Sequence, residues 1–235
     1  MERATRTLHA YEINGVRVLA YDQQGSVAAD RVADELAADT YGLGAIPFRP
    51  GDTVIDIGAH VGLVSLYLAK RWPLLHIHAF EPYAVNHETC LENLRVNHVT
   101  NVRLYREAVT ADARPIVLRC LPSNTGGATA VFAMPGADAA AAVRSTTLRE
   151  IFDRALEPGE RCRLLKMDCE GMEYEILPSP VLDRVDFFAA EFHEDALGGG
   201  GQPSVGHGAA QALAERCARF LRPEQLRIVC CPKQD

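Results

Sequence analysis

Val54-Ile55-Asp56-Ile57-Gly58-Ala59-His60-Val61-Gly62 decides the fold. Thr53 to Ile57 is a short apolar, β-branched run of the kind that forms a strand buried on both faces. The run passes straight into a turn that holds two glycines, and the turn opens an apolar-periodic helix over Leu63–Arg71. Glycine permits positive φ and close backbone approach, so a ligand can lie against such a turn. The helix N-terminus presents N–H groups that suit a carboxylate. Asp56 adds negative charge that suits a cationic group on the same ligand. The glycines stand four apart with His60 between them, so the turn is not the dinucleotide fingerprint G-x-G-x-x-G. Taken alone, it is also compatible with a tight strand–helix turn that binds nothing.

Outward from this stretch, strands and helices alternate. A second strand is expected over His76–Phe80, a helix over Tyr83–Asn97 and a third strand over Val102–Glu107. Further on, a helix is expected over Thr147–Leu156, strands over Cys162–Met167 and Val185–Phe192, a helix over Ala209–Leu221 and a last strand over Leu226–Cys231. This alternation implies a mostly parallel α/β sheet with right-handed crossovers and helices on its flanks. Pro115–Leu121 and Ala128–Phe132 flank the turn-like Ser123–Gly127 and read as an inserted β-hairpin. Upstream, Tyr11–Tyr21 forms two β-rich runs about Asn14-Gly15, a strong hairpin signal, followed by a helical stretch from Asp30 to Thr40. Residues 1–50 therefore read as a hairpin-and-helix extension and 51–235 as the main domain.

The second strand runs into Glu81, at the carboxyl edge where ligands of parallel sheets bind. A carboxylate there can accept hydrogen bonds from both hydroxyls of a ribose. With Asp56 and the turn, it implies a ligand that carries a nucleoside. Glu107-Ala108, closing the third strand, is the corresponding place for contacts to an adenine ring. Tyr41 can reach the far end of such a ligand or serve the core.

VIDIGAHVGLVSL, AFEPYAVNHETCLENLRVNHVTNV, LLKMDCEGMEYEIL and the later AEFH together resemble the FkbM family of methyltransferases, in order and over roughly Asp52 to His193. Asn93 and Asn97 match that family's L-x-N-x-x-x-N spacing. The resemblance implies a Rossmann-like class I methyltransferase fold and methyl transfer from S-adenosylmethionine, usually to a hydroxyl of a sugar, polyketide or other small metabolite. It places the cofactor on Asp56, Gly58, Gly62 and Glu81, with Ala59 and His60 in the same turn. His60 departs from the family, which commonly has Asn there, and would bring its own pH dependence. The usual sheet of this class closes with an antiparallel strand pair, for which only Leu226–Cys231 is an obvious candidate. Either the other strand is irregular or the C-terminus is cut short.

On the acceptor side, Asp168, Glu170, Glu191 and His193 each end or follow a parallel strand and should gather at one edge. His193 suits a general base, because an imidazole titrates near neutrality, with Asp168 orienting it or holding the acceptor and Glu170 as a third catalytic candidate. The same groups can instead bind a divalent ion such as Mg²⁺, with Asp168 and Glu191 as ligands. Structural roles are equally available: Glu170 as a helix cap, Glu191 in a pair with an arginine. Lys166, inside an apolar strand, needs a partner. Gly198–Gly201 reads as a mobile lid or a linker.

Composition narrows the remainder. A hydrophobic share of 48% supports a packed core, and a net charge of −7 argues against nucleic-acid or anionic-membrane partners. Seven cysteines show no zinc spacing, no apolar run spans a membrane and the first residues lack a signal-peptide core, so a cytoplasmic location is expected. Two rivals share parts of this pattern: an NAD-dependent oxidoreductase, which would want G-x-G-x-x-G, and a non-catalytic binding module.

Overall fold

The computed structural model describes residues 5–121, 124–132, 142–169, 171–193 and 208–231. The chain opens with an antiparallel hairpin, β1 (Arg6–Ile13) and β2 (Val16–Gln23). Asn14 and Gly15 both hold positive φ in its tight turn, the geometry that matches strand twist in two-residue hairpins. Helix α1 (Ala28–Ala37) follows. Then come β3 (Thr53–Ile57), α2 (Leu63–Arg71), β4 (His76–Phe80), α3 (Ala84–Val96) and β5 (Val102–Tyr105). The stretch after β5 holds β6 (Ala108–Val109), β7 (Ile116–Leu121), β8 (Asn124–Phe132), β9 (Ala142–Val143), β10 (Ser145–Thr146) and α4 (Leu148–Ala155). The chain continues through β11 (Cys162–Met167), α5 (Glu173–Ile176), β12 (Val185–His193), α6 (Ala209–Cys217) and β13 (Leu226–Cys231).

Six strands form the central sheet in the order β5-β4-β3-β11-β12-β13, every neighbouring pair parallel. This is a doubly wound sheet whose strand order reverses between β3 and β11, the place where such folds bind ligands. Leu226–Cys231 pairs parallel to β12, so the antiparallel closure expected of this strand is not what the sheet shows. The inserted hairpin is present as β7 and β8, but β8 begins at Asn124 and takes in residues expected to form the turn. Two short bridges, β9 against β7 and β10 against β6, anchor the insert.

Successive strand residues point to opposite faces, and the core divides accordingly. Val54, Leu164 and Ala189 pack with the hairpin residues Val18 and Ala20 and with α1 and α2. Ile55, Ile57, Leu165 and Phe188 pack on the other face with α4 and α6. The hairpin is stitched to α3 by two asparagines one helical turn apart. Asn93 accepts from the Tyr21 N–H and donates to the Tyr21 and Val61 carbonyls. Asn97 accepts from the Leu19 N–H and donates to the Leu19 carbonyl. Each amide side chain thus substitutes for a strand partner along the edge of β2. Trp72, at the end of α2, packs against Phe48 with ring centroids 4.5 Å apart.

Candidate functional site

Strand parity builds the site. Asp56 follows Val54 by two residues, Lys166 follows Leu164 and Glu191 follows Ala189, so all three side chains share the face covered by the hairpin and α1. Asp168 and His193 continue the same alternation at the carboxyl ends of their strands.

The turn after β3 is shaped by close approach. Gly58 has φ +78, and a Cβ built on it would lie 1.6 Å from the Asp168 carbonyl oxygen. Gly62 has φ +88, and its Cβ would lie 2.5 Å from Cys90 Sγ on α3. Gly58 and Ala59 donate their N–H groups to the Phe80 carbonyl, and Gly62 donates to Ala59. His60 donates its N–H to Glu81 Oε2 at 2.8 Å. These four amides are spent on the protein itself. Burial lowers the His60 imidazole to about 4, with Asp22 opposing and Lys166 assisting. It is therefore neutral at physiological pH, and the pH dependence expected of it lies well below that range.

Glu81 stands just past β4, 5% exposed, with Oε1 accepting from the Tyr83 N–H at 2.9 Å. A carboxylate has about four lone-pair positions. Two amides occupy one on each oxygen, leaving one on each for the paired hydroxyls of a ribose. Asp56 is fully buried; its Oδ2 accepts from Ser65 Oγ at 2.7 Å, while Oδ1 has no hydrogen bond and lies 3.5 Å from Lys166 Nζ. A buried carboxylate oxygen without a hydrogen bond, ion-paired to Lys166 beside an αL glycine turn, and a half-used carboxylate on the next strand fit a nucleoside ligand. Ala108 is buried in β6, and the Glu107 carboxylate is taken by Arg154 at 2.9 Å. Tyr41 is buried and donates to Glu191 Oε1 at 2.7 Å, with Glu35 Oε2 on its other side at 3.1 Å.

Asp168 and His193 are brought together, with Oδ1 and Nε2 3.9 Å apart. Glu173, at the start of α5, completes the group: its Oε1 lies 3.6 Å from His193 Nδ1 and accepts from the Cys169 N–H, while Oε2 accepts from Gly171. Sequence reasoning passed over Glu173, although it belongs to the same acid-rich run, DCEGME. Glu170 lies outside the described residues, as does the Gly198–Gly201 tract. Burial raises the Asp168 carboxyl to about 6 and the Glu191 and Glu173 charges add to this, while Lys166 and His193 pull it down.

The ligand atoms of Asp168, Glu173 and His193 lie within 4.8 Å of one another; Glu191, expected as a metal ligand beside Asp168, is not in that group, and its Oε1 accepts from Tyr41. The trio fits Mg²⁺ poorly. That ion wants six near-octahedral oxygens, one of the three ligand groups is an imidazole nitrogen, and the Lys166 ammonium, 3.7 Å from Asp168 Oδ2, supplies positive charge there.

A doubly wound parallel sheet, a turn without the dinucleotide glycines and acids ending two adjacent strands define a Rossmann-like class I methyltransferase fold. The chain belongs to the methyltransferase FkbM domain family, whose model matches residues 56–216, and it is an S-adenosylmethionine-dependent methyltransferase of that type. Methyltransferase sdnD of Sordaria araneosa is 28% identical, over 68% of this chain and 71% of its own length. The 31-O-demethyl-FK506 methyltransferase FkbM of Streptomyces tacrolimicus is 35% identical, but over 29% of this chain and 26% of its own. Among solved structures, the precorrin-6y C5,15-methyltransferase of Geobacter metallireducens is similar at 18% identity and a TM-score of 0.40, over 65% of this chain and 58% of that one.

Proposed function

We propose that the protein methylates a hydroxyl group of a small metabolite, with His193 as the general base. The observation that carries this reading is the imidazole of His193 held between the carboxylates of Asp168 and Glu173, at the same sheet edge as Asp56 and Glu81. S-adenosylmethionine supplies an activated methyl group when bound. Glu81 would hold its ribose, and Asp56 with the Gly58–Gly62 turn its amino-acid end. His193 removes the acceptor proton as the oxygen attacks in line, and Asp168 and Glu173 stabilise the imidazolium that results. Lys166 already provides the local cation, so no divalent ion is needed. The name of the Streptomyces relative states methylation at an oxygen, which supports a hydroxyl acceptor.

The described free thiols Cys90, Cys162, Cys169 and Cys217 suit a reducing cytoplasm, and no described helix is long and apolar enough to cross a membrane. The net charge of −7 supports a small-molecule partner over nucleic acid or a membrane surface.

The test is a screen of hydroxylated metabolites with labelled methyl donor, run with and without EDTA. His193→Ala should lower turnover about 100-fold or more at nearly unchanged cofactor affinity, and EDTA should change nothing. Full turnover in that variant would remove His193 as the base.

A further inference from the structure

Lys166 has no step of its own in this reaction, yet its placement is costly. It sits on β11, flanked in sequence by Leu165 and Met167, and is 3% exposed. An apolar side chain of similar volume would serve a central strand as well or better. Burial opposes its charge, but the carboxylates of Asp56, Asp168 and Glu191 outweigh burial and hold the ammonium protonated. Lys166 and Asp56 are direct register partners in the parallel ladder. From there Nζ donates to the Gly58 carbonyl at 3.1 Å and pairs with Asp56 Oδ1 at 3.5 Å and Asp168 Oδ2 at 3.7 Å. The last ladder pair is Met167 with Ile57. Past it, one backbone bond from the Asp168 N–H to the Ile57 carbonyl continues the ladder, and the ammonium spans the cofactor turn and the acceptor acid.

We infer that Lys166 is a positioning residue shared by the two subsites. Its ammonium ties the cofactor turn to Asp168, and its fixed positive charge sets the preference of the site between a sulfonium nucleoside and the neutral thioether left after transfer. This rests on the methyltransferase reading above. The physical reason is that Lys166 repels a sulfonium but not a thioether, so removing its charge favours the substrate form selectively. A side chain that merely filled space would shift both affinities together.

The experiment is titration calorimetry of S-adenosylmethionine and S-adenosylhomocysteine against the parent, Lys166→Met and Lys166→Arg, each checked for folding by thermal melting. The Met variant should move the affinity ratio about three- to tenfold toward S-adenosylmethionine, and the Arg variant, which keeps the charge, should hold the parent ratio. If Lys166→Met does not fold, Lys166→Gln, neutral but able to donate to the Gly58 carbonyl, carries the same expectation. A folded neutral variant with the parent ratio overturns the inference, as does an equal shift in the Arg variant. A parent that binds neither nucleoside overturns the methyltransferase reading itself, which keeps the two failures distinct.

Discussion

The Glu81 carboxylate accepts the backbone N–H of His60 at 2.8 Å, so the end of β4 fixes the turn that follows β3. Glu81 and a glycine-turn residue 21 positions earlier in the chain are therefore tied together. Gly58 and Ala59 reinforce it by donating to the Phe80 carbonyl.

Burial raises the Glu81 carboxyl to about 7, against the lowering effect of the Tyr83 and His60 amides. Because the folded value lies above the unfolded one of about 4.3, its contribution to stability is present below that pH and lost as pH rises through 7. Cofactor binding runs in the opposite sense, since a diol donating two hydrogens needs the ionised acid. Affinity for S-adenosylmethionine should rise with pH and level off above about 8. Glu81→Gln should flatten both dependences and weaken binding at least about tenfold at high pH. Calorimetry and thermal melts across pH 5–9 (roughly two units either side of neutrality) check this; a parent-like slope in the variant would contradict it.

Gly62→Ala should destabilise the fold by about 2–4 kcal/mol, because the new methyl meets Cys90 Sγ and the backbone is left-handed there. Adding Cys90→Ala relieves the clash but not the strain. The double variant should therefore be more stable than the sum of the single losses, by about 1 kcal/mol or more. Denaturant unfolding of the four proteins measures the coupling, and strict additivity would show that the two residues do not press on each other.

Asn93→Ala leaves the Tyr21 amide and carbonyl without their partner and should cost about 2–4 kcal/mol. Hydrogen exchange reads this site by site. The Tyr21 amide should lose protection first, while the Leu19 amide, held by Asn97, is affected less. Equal loss at both positions would mean that the hairpin detaches as a whole.

Much of this architecture is legible in the chain. Thr53–Ile57, His76–Phe80 and Cys162–Met167 are short apolar runs with clear boundaries, and each forms a strand over those residues. What escapes the sequence is set by tertiary contact. β6, β9 and β10 are two residues each and exist only because a partner passes by. The parallel pairing of Leu226–Cys231 depends on which strand lies beside it, which periodicity does not encode. Asn93 and Asn97 are visible as a spacing, but their strand-mimicking bonds need the fold to place β2 alongside α3. Glu173 stays hidden for a similar reason: it reaches His193 through the short turn after β11, and no local pattern announces that turn.

The most direct measurement is titration calorimetry of the folded protein with S-adenosylmethionine, S-adenosylhomocysteine and NAD. Binding of both sulfur nucleosides and none of NAD, with affinity for the first two lost in Glu81→Ala, is the predicted result. A folded protein that binds neither sulfur nucleoside, or that binds NAD instead, would contradict the account.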